Sequence, residues 1–432
     1  MELSLKTIGK GLMVIGLVSL IFRVGNFYNS FIPKPYEIIF LLLGIITAVD
    51  LLKNKKIKEF WDTIPKKIWI AIITMIFAVV FGWMIAFFLK GIPFSFNALL
   101  EFGTFGFSIG TFVFVLYYSN NDPIIRKLFY ALLISVNYII LIISPKTAGY
   151  FHLMSDSNFL GFTTNPNVAS KIVLIPTLYF ITYALYEVKN KWSKIGYIAI
   201  SSMLVALIFW TASRGALFSL VIGMVVVGGI VSLHEFKWSK VFQNSVIILL
   251  IMVSGFIMTP YTGKQVVTNR LLNLENSQST YSVLKDKSVT DIIQESAIKS
   301  SQENSSKNIV PGETRFQIWP YYLKQILHNP FGIGPNTHLD SYIPSQHGGY
   351  LNTGPHNTYL QIWLWGGLLG LFSFLYILLE AFKNLKKKIQ TKFDPLIIAL
   401  LGMLATLSLS IVFDDSLSLY CFWAVLAISL KI

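Results

Sequence analysis

Three basic side chains stand where long apolar runs meet polar chain: Arg214 in FWTASRGALFSL, Arg315 in PGETRFQIW and His356 in GPHNTYL. A guanidinium fork matches phosphate oxygens, so two arginines on one side of a membrane could together bind a pyrophosphate. A histidine exchanges protons near neutral pH and could accept one, or donate to a departing phosphate. Each also has a plainer reading. Arg214 could snorkel or fix topology, Arg315 could be a solvated surface residue, and His356 could only cap or hydrogen-bond. Arg214 is the sharpest of the three, because no other charge lies near it in sequence. An arginine at the edge of hydrocarbon is costly unless water, an anion or a carboxylate meets it. Gly215 and Ala216 beside it are small enough to let a helix or ligand approach.

Polar residues of lower specificity surround these three. Asn165 and Asn167, in GFTTNPNVAS, open an apolar run. They are turn and N-cap residues, or amides that hydrogen-bond sugar hydroxyls. Trp319 lies one turn beyond Arg315, and Asn357 follows His356, so both are further substrate-binding candidates. His338 and His347 share the same polar segment and rank second. Asp414 and Asp415 are closely paired carboxylates at a junction between runs, able to hold a cation or an arginine. Gly332 and Gly334 fit a tight turn and no phosphate loop, since GxxxxGK[ST] is missing. No HExxH, cysteine cluster or aspartate array suggests a metal, and neither metal nor cofactor is expected.

The elements that must position these groups are transmembrane helices. The 432-residue chain is 54% apolar and 13% charged, with a mean hydropathy of +0.62. Apolar runs of about 17 to 25 residues read as membrane-spanning helices, because lipid leaves the backbone of an open strand unpaired. Twelve runs are read, near 9–25, 35–52, 68–89, 96–118, 124–143, 167–187, 195–212, 215–232, 241–258, 357–381, 395–413 and 416–432. They look unusually free of charge. Cys421 is the single cysteine, so no intrachain disulfide forms, and no small-residue cleavage site follows the first run.

The formal charge of +14 is explained by loops rather than by nucleic acid. Lysines crowd the 53–67 and 383–394 connections, and further basic residues mark the turns at Arg126/Lys127, Lys189–Lys194 and Lys237/Lys240. With twelve spans all of these fall on one side, the cytoplasmic one. Both termini are then on the cytoplasmic side of the bacterial cytoplasmic membrane, and residues 259–356 on the outer side.

Three parts follow: helices one to nine over 1–258, an extracytoplasmic segment over 259–356, and helices ten to twelve over 357–432. The middle part carries eight Lys/Arg against seven Asp/Glu, so it is no basic tail. Its Ser- and Asn-rich stretch 272–309 reads as lid-like. Phe316, Trp319, Leu323, Ile326 and Leu327 then recur at helical spacing, which predicts an amphipathic helix stopped by Pro330, Gly332 and Gly334. Pro355 marks the entry of the next helix.

TASRGALFSL, TRFQIWPYYLKQILHNPFGIGPNT and PHNTYLQIWLWGGLLG, in this order and with the NPN of GFTTNPNVAS, resemble the superfamily of bacterial O-antigen ligases and O-antigen polymerases. The resemblance spans the whole architecture. It places the family's arginine after the seventh span at Arg214, its outer-loop arginine at Arg315 and its histidine at His356. It implies a metal-independent, inverting glycosyltransferase whose donor is a glycan on undecaprenyl pyrophosphate at the outer leaflet. The acceptor it implies is another lipid-linked repeat unit, lipid A–core, a protein or a wall polymer. A chain-length regulator and membrane lipids are further expected partners; nucleic acid is not. Polymerase is the leading expectation, ligase the alternative. From a different class, a polysaccharide transporter or flippase would place its charges or broken helices near the midplane, and an assembly protein would use the polar segment for docking.

Overall fold

The computed structural model describes residues 5–19, 35–92, 96–119, 166–186, 190–234, 237–261, 315–335, 355–413 and 420–432, with short pieces at 94, 126–127, 129, 131, 154–155, 158–159, 264, 268, 343–344 and 350–351. Helices dominate. They are α1 (Leu5–Ser19), α2 (Pro35–Lys53), α3 (Ile57–Thr63), α4 (Lys66–Lys90), α5 (Phe96–Tyr118), α6 (Pro166–Leu185), α7 (Lys191–Thr211), α8 (Arg214–His234), α9 (Trp238–Met258), α10 (Arg315–His328), α11 (Thr358–Thr391), α12 (Pro395–Ser410) and α13 (Tyr420–Lys431). Two small antiparallel hairpins complete the described elements, β1 (Met154–Ser155) with β2 (Asn158–Phe159) and β3 (Ile343–Pro344) with β4 (Tyr350–Leu351).

Among the described residues seven helices are long and apolar enough to cross a membrane: α4, α5 from Ala98 onward, α6, α7, α8, α9 and α11. The apolar helices α12 and α13 are shorter. The chain is thus an all-α polytopic membrane protein. Helix covers the described residues of the expected runs apart from a few at their ends, and most of 124–143 lies outside the described residues. The polar stretch 272–309 lies outside them as well.

Local chemistry sets several helix starts. Asn190 caps α7 by accepting from the Trp192 N–H at 3.0 Å, and Asp394 caps α12 by accepting from Leu396 at 2.9 Å, with Pro395 at the first helical position. Asx side chains at an N-cap satisfy donors that a helix start leaves free. Helix α11 runs ten residues beyond the expected end of its span. Its Lys383, Lys386, Lys387 and Lys388 are helical rather than loop, because lysine is a good helix former and suits the negative end of the dipole.

α6 lies at the centre, packed on α7, α8, α9 and α12, with most of its length buried. In lipid, burial of apolar groups gains little from the hydrophobic effect, so close packing and small residues hold such helices together. Gly223 of α8 lies against Leu178 of α6 and Thr406 of α12, and Gly402 of α12 lies against Val227 of α8. A side chain at either glycine would collide with its neighbour. These contacts also set direction: α8 runs parallel to α6 and antiparallel to α12.

One junction breaks the helical pattern. α11 is interrupted at Gly367, which has φ 61° and ψ −164°. The segment 329–335, AsnProPheGlyIleGlyPro, fills the break. Ile333 N–H donates to the Leu364 carbonyl at 2.8 Å, Gly334 N–H to Trp365 at 2.9 Å, and Leu368 N–H to Pro330 at 3.3 Å. Non-helical backbone at membrane depth persists only when its polar groups are paired in this way. Gly82 of α4 closes the junction: a Cβ there would lie 2.5 Å from the Trp365 carbonyl oxygen and 2.9 Å from that of Phe331. The turn expected at Gly332 and Gly334 is present, with φ of 84° and 68°, and it splices α10 into α4 and α11.

Candidate functional site at one end of the bundle

The connections sort into two ends. At one end Lys6 meets Glu59 at 3.0 Å, Lys392 and Arg126 meet Asp394 at 3.5 and 3.9 Å, and Lys431 Nζ donates to the Thr63 carbonyl. The rings of Tyr186 and His234 stack on Phe393 there. This is the basic end, and it gathers the lysine-rich connections that the sequence assigns to one side. The opposite end receives the starts of α6, α8 and α11 and the end of α12.

Arg214 is the first residue of α8. α7 ends at Thr211, Ala212 takes the left-handed conformation (φ 51°), and the Ser213 hydroxyl accepts from the Ala216 N–H at 3.4 Å. The tight TASR turn therefore places the guanidinium at a helix N-terminus, exposed. A cation there opposes the positive end of the helix dipole, which costs about 0.3–1 kcal/mol and favours a bound anion. No carboxylate pairs with Arg214 among the described residues.

His356 stands just before α11, half-buried, with φ 46°. A non-glycine residue held in this region is uncommon and costs about 1–3 kcal/mol, strain that recurs at functional sites. Asn357 is 7% exposed and caps α11, its oxygen accepting from Tyr359 and Leu360 N–H at 3.0 and 3.1 Å. Trp319 of α10 donates its indole N–H to the Pro355 carbonyl at 3.0 Å. This ties the amphipathic helix, with Tyr322 and Ile326 buried, to the residue before His356. Arg315 begins the same helix one turn before Trp319, so its backbone is held near the mouth of α11.

Two contacts put Arg214 and His356 at the same end of the bundle. The Tyr359 hydroxyl donates to the Ser408 carbonyl at 2.9 Å, putting the start of α11 beside the end of α12. The antiparallel α8–α12 contacts put the start of α8 at that same end of α12. Asn167, half-buried at the start of α6, lies at the corresponding level of the parallel helix. Asn165, His338, His347, Asp414 and Asp415 lie outside the described residues.

The expectation that the spans are nearly free of charge needs correcting. Asp50 in α2 and Lys171 in α6 are each 3% exposed. Asp50 pairs at the basic end with Lys56 at 3.9 Å. Lys171 lies five residues inside α6, one turn below Asn167. A lone basic residue within an apolar run was the available signal, since an ionisable side chain inside a span is kept only for a reason. Lys90, at the end of α4, hydrogen-bonds to the Asn329 side chain.

The chain is a polytopic membrane protein with Arg214, Asn167 and His356 at the same end of the bundle. Residues 198–375 match a family model described as O-Antigen ligase. That stretch contains Arg214, Arg315, Trp319, His356 and Asn357 and stops short of Asn167. A ComP-specific O-oligosaccharyltransferase from Acinetobacter baylyi is 24% identical over 285 residues, covering 62% of this chain. The chain spans about half the length of that curated relative, 45%. Both likenesses agree with the motif resemblance to enzymes acting on lipid-linked glycans.

Proposed function

We propose that this chain transfers a glycan from an undecaprenyl-pyrophosphate donor at the outer face of the bacterial cytoplasmic membrane. The observation that carries this reading is the exposed Arg214 at a helix N-terminus, at the same end of the bundle as His356. The positive-inside rule supports a cytoplasmic basic end and an external site.

In the proposed reaction the acceptor hydroxyl oxygen attacks the anomeric carbon from the face opposite the pyrophosphate. The anomeric carbon–oxygen bond breaks, and its electron pair stays on the departing phosphate oxygen. Arg214 and Arg315 neutralise the growing charge. His356 takes the hydroxyl proton, and the anomeric centre inverts. Trp319 holds His356 in place through Pro355, and Asn167 and Asn165 supply amides toward the sugar.

Another lipid-linked repeat unit is the first acceptor, which makes the protein a polymerase of O-antigen or capsule type. A second reading, transfer to lipid A–core or to a protein hydroxyl, is favoured by the ligase description and by the oligosaccharyltransferase relative. A transporter, whose broken helices line a path, is disfavoured because the break of α11 at Gly367 is filled by segment 329–335, which pairs its backbone, and because Arg214 and His356 stand at one end of the bundle.

Deleting the gene and resolving surface glycans and glycoproteins on gels, with wild-type or Arg214→Ala copies restored, tests the reading. Loss of the long-chain ladder with single-repeat material retained identifies a polymerase. Loss of all attached glycan, with polymer still on its carrier, identifies a ligase, and loss of glycan from a protein an oligosaccharyltransferase. Unchanged glycans, or full rescue by Arg214→Ala, overturn it.

A further inference from the structure

We infer that Tyr359 is a positioning residue for His356, latching a folded-back half of α11 to the end of α12. The inference rests on the role proposed above for His356 and assigns the group that holds it from inside the bundle.

The course of α11 comes first. In a straight helix residues eight apart lie about 12 Å apart along the axis, and residues fifteen apart about 22 Å. Yet a Cβ at Gly370 would lie 3.4 Å from the Ile362 carbonyl oxygen, and the rings of Tyr359 and Phe374 are 5.7 Å apart. The stretch 358–366 therefore turns back at Gly367 and lies against the helix that follows. So short a helix gains little from its own propensity and depends on what holds its two ends. One end is fixed at the break, where Ile333 and Gly334 N–H donate to the carbonyls of Leu364 and Trp365.

The other end carries His356. The Asn357 oxygen accepts from the Tyr359 and Leu360 N–H groups, which orders the first turn directly after the histidine. Two further bonds bracket it. Trp319 of α10 holds the carbonyl of Pro355, the residue before it. Tyr359, three residues after it, donates its hydroxyl proton to the Ser408 carbonyl at 2.9 Å, with its ring packed on Phe374. His356 is kept at φ 46°, a conformation that persists only when its surroundings enforce it. Through Thr406 and Gly223, α12 packs in turn on α8, the helix that begins at Arg214. The bond from Tyr359 to Ser408 thus links His356 to the frame that carries Arg214. A displacement of about 1 Å at a reacting group can cost about 100-fold in rate.

Tyr359→Phe keeps the ring and removes the bond, and it is tested in the full chain in lipid nanodiscs. The donor is the lipid-linked glycan that accumulates in the deletion strain, with the acceptor that the gels identify. The turnover number kcat falls about tenfold, while KM for the donor stays within about twofold, because uniform binding of the donor is untouched. In the His356→Gly background the same substitution lowers transfer no further, since the group it positions is gone. Wild-type kcat in Tyr359→Phe, or an equal further fall in the His356→Gly background, overturns the positioning role alone. Wild-type transfer by His356→Gly itself overturns the reading of His356 and this inference with it. Should Tyr359→Phe not fold, meta-fluorotyrosine at position 359 keeps the ring in place and makes the hydroxyl a stronger donor. A shift of the His356 imidazole resonance in that protein supports the latch, and an unmoved resonance overturns it.

Discussion

The two ends of the bundle use charge differently. At the basic end cations meet carboxylates within the protein: Lys6 with Glu59, Lys56 with Asp50, Lys383 with Glu380, and both Lys392 and Arg126 with Asp394. Aromatic rings reinforce it, with Trp61 and Trp69 4.3 Å apart and Phe60 5.0 Å from Tyr117. At the opposite end Arg214 stands exposed at the positive terminus of α8, with no carboxylate paired to it among the described residues. Charge cancelled internally anchors helices and fixes orientation. The exposed charge forms the proposed binding site, in a bundle locked by the glycine junction of α4, α11 and segment 329–335.

If this contrast is right, substitutions at the two ends separate activity from stability. The largest effect is expected at Arg214. Arg214→Ala reduces glycan transfer about 100-fold or more, the scale of a lost transition-state donor, while membrane insertion and the melting temperature match wild type. Transfer at the wild-type rate in purified protein would remove the arginine from the reaction.

Next comes the frame itself. A Cβ at Gly367 would collide with the Pro330 carbonyl, at a φ that suits glycine. Gly367→Ala is expected to destabilise by about 1–3 kcal/mol or more, read as a lower melting temperature in detergent with activity falling in parallel.

His356→Gly tests the strained histidine in the opposite sense. Glycine accepts φ 46° freely, so thermal stability is retained or rises by about 1 kcal/mol, while transfer falls at least about tenfold for lack of the imidazole. Full activity in this variant would leave His356 a turn residue only. Trp319→Phe keeps the ring and loses the bond to the Pro355 carbonyl. A loss of about 1 kcal/mol in stability and a severalfold drop in transfer, measured side by side, fit its role in holding the mouth of α11.

The smallest effect belongs to the basic end. Hydrogen bonding to Lys6, and then its charge, hold the Glu59 carboxyl below its ordinary value of 4.5. A carboxyl with a depressed folded value stabilises above its unfolded value, and that stability is lost as pH falls through the folded one. The pair is exposed, so its contribution is small. Glu59→Gln should leave transfer unchanged and slightly flatten the fall in melting temperature below pH 4.5. A large loss of transfer would erase the distinction between the two ends.

The sequence by itself determined the class of structure. Apolar runs of span length admit only helices, the lysine-rich turns segregate to one end, and the helix over 315–328 with its stop at Pro330 follows from spacing and turn chemistry. Arg214, Arg315 and His356 were legible because charge at the edge of an apolar run is rare. Tertiary structure alone decided what distant residues do together. Gly367 and Gly332 look like ordinary loop or helix glycines until segment 329–335 is threaded into the break of α11. Lys171 is one basic residue in a span until α6 proves to be the central helix. Asn357 is one polar residue among several until its oxygen is seen capping α11. Periodicity and charge are local properties that a linear chain displays, whereas depth, enclosure and juxtaposition depend on which helices pack, and in which direction.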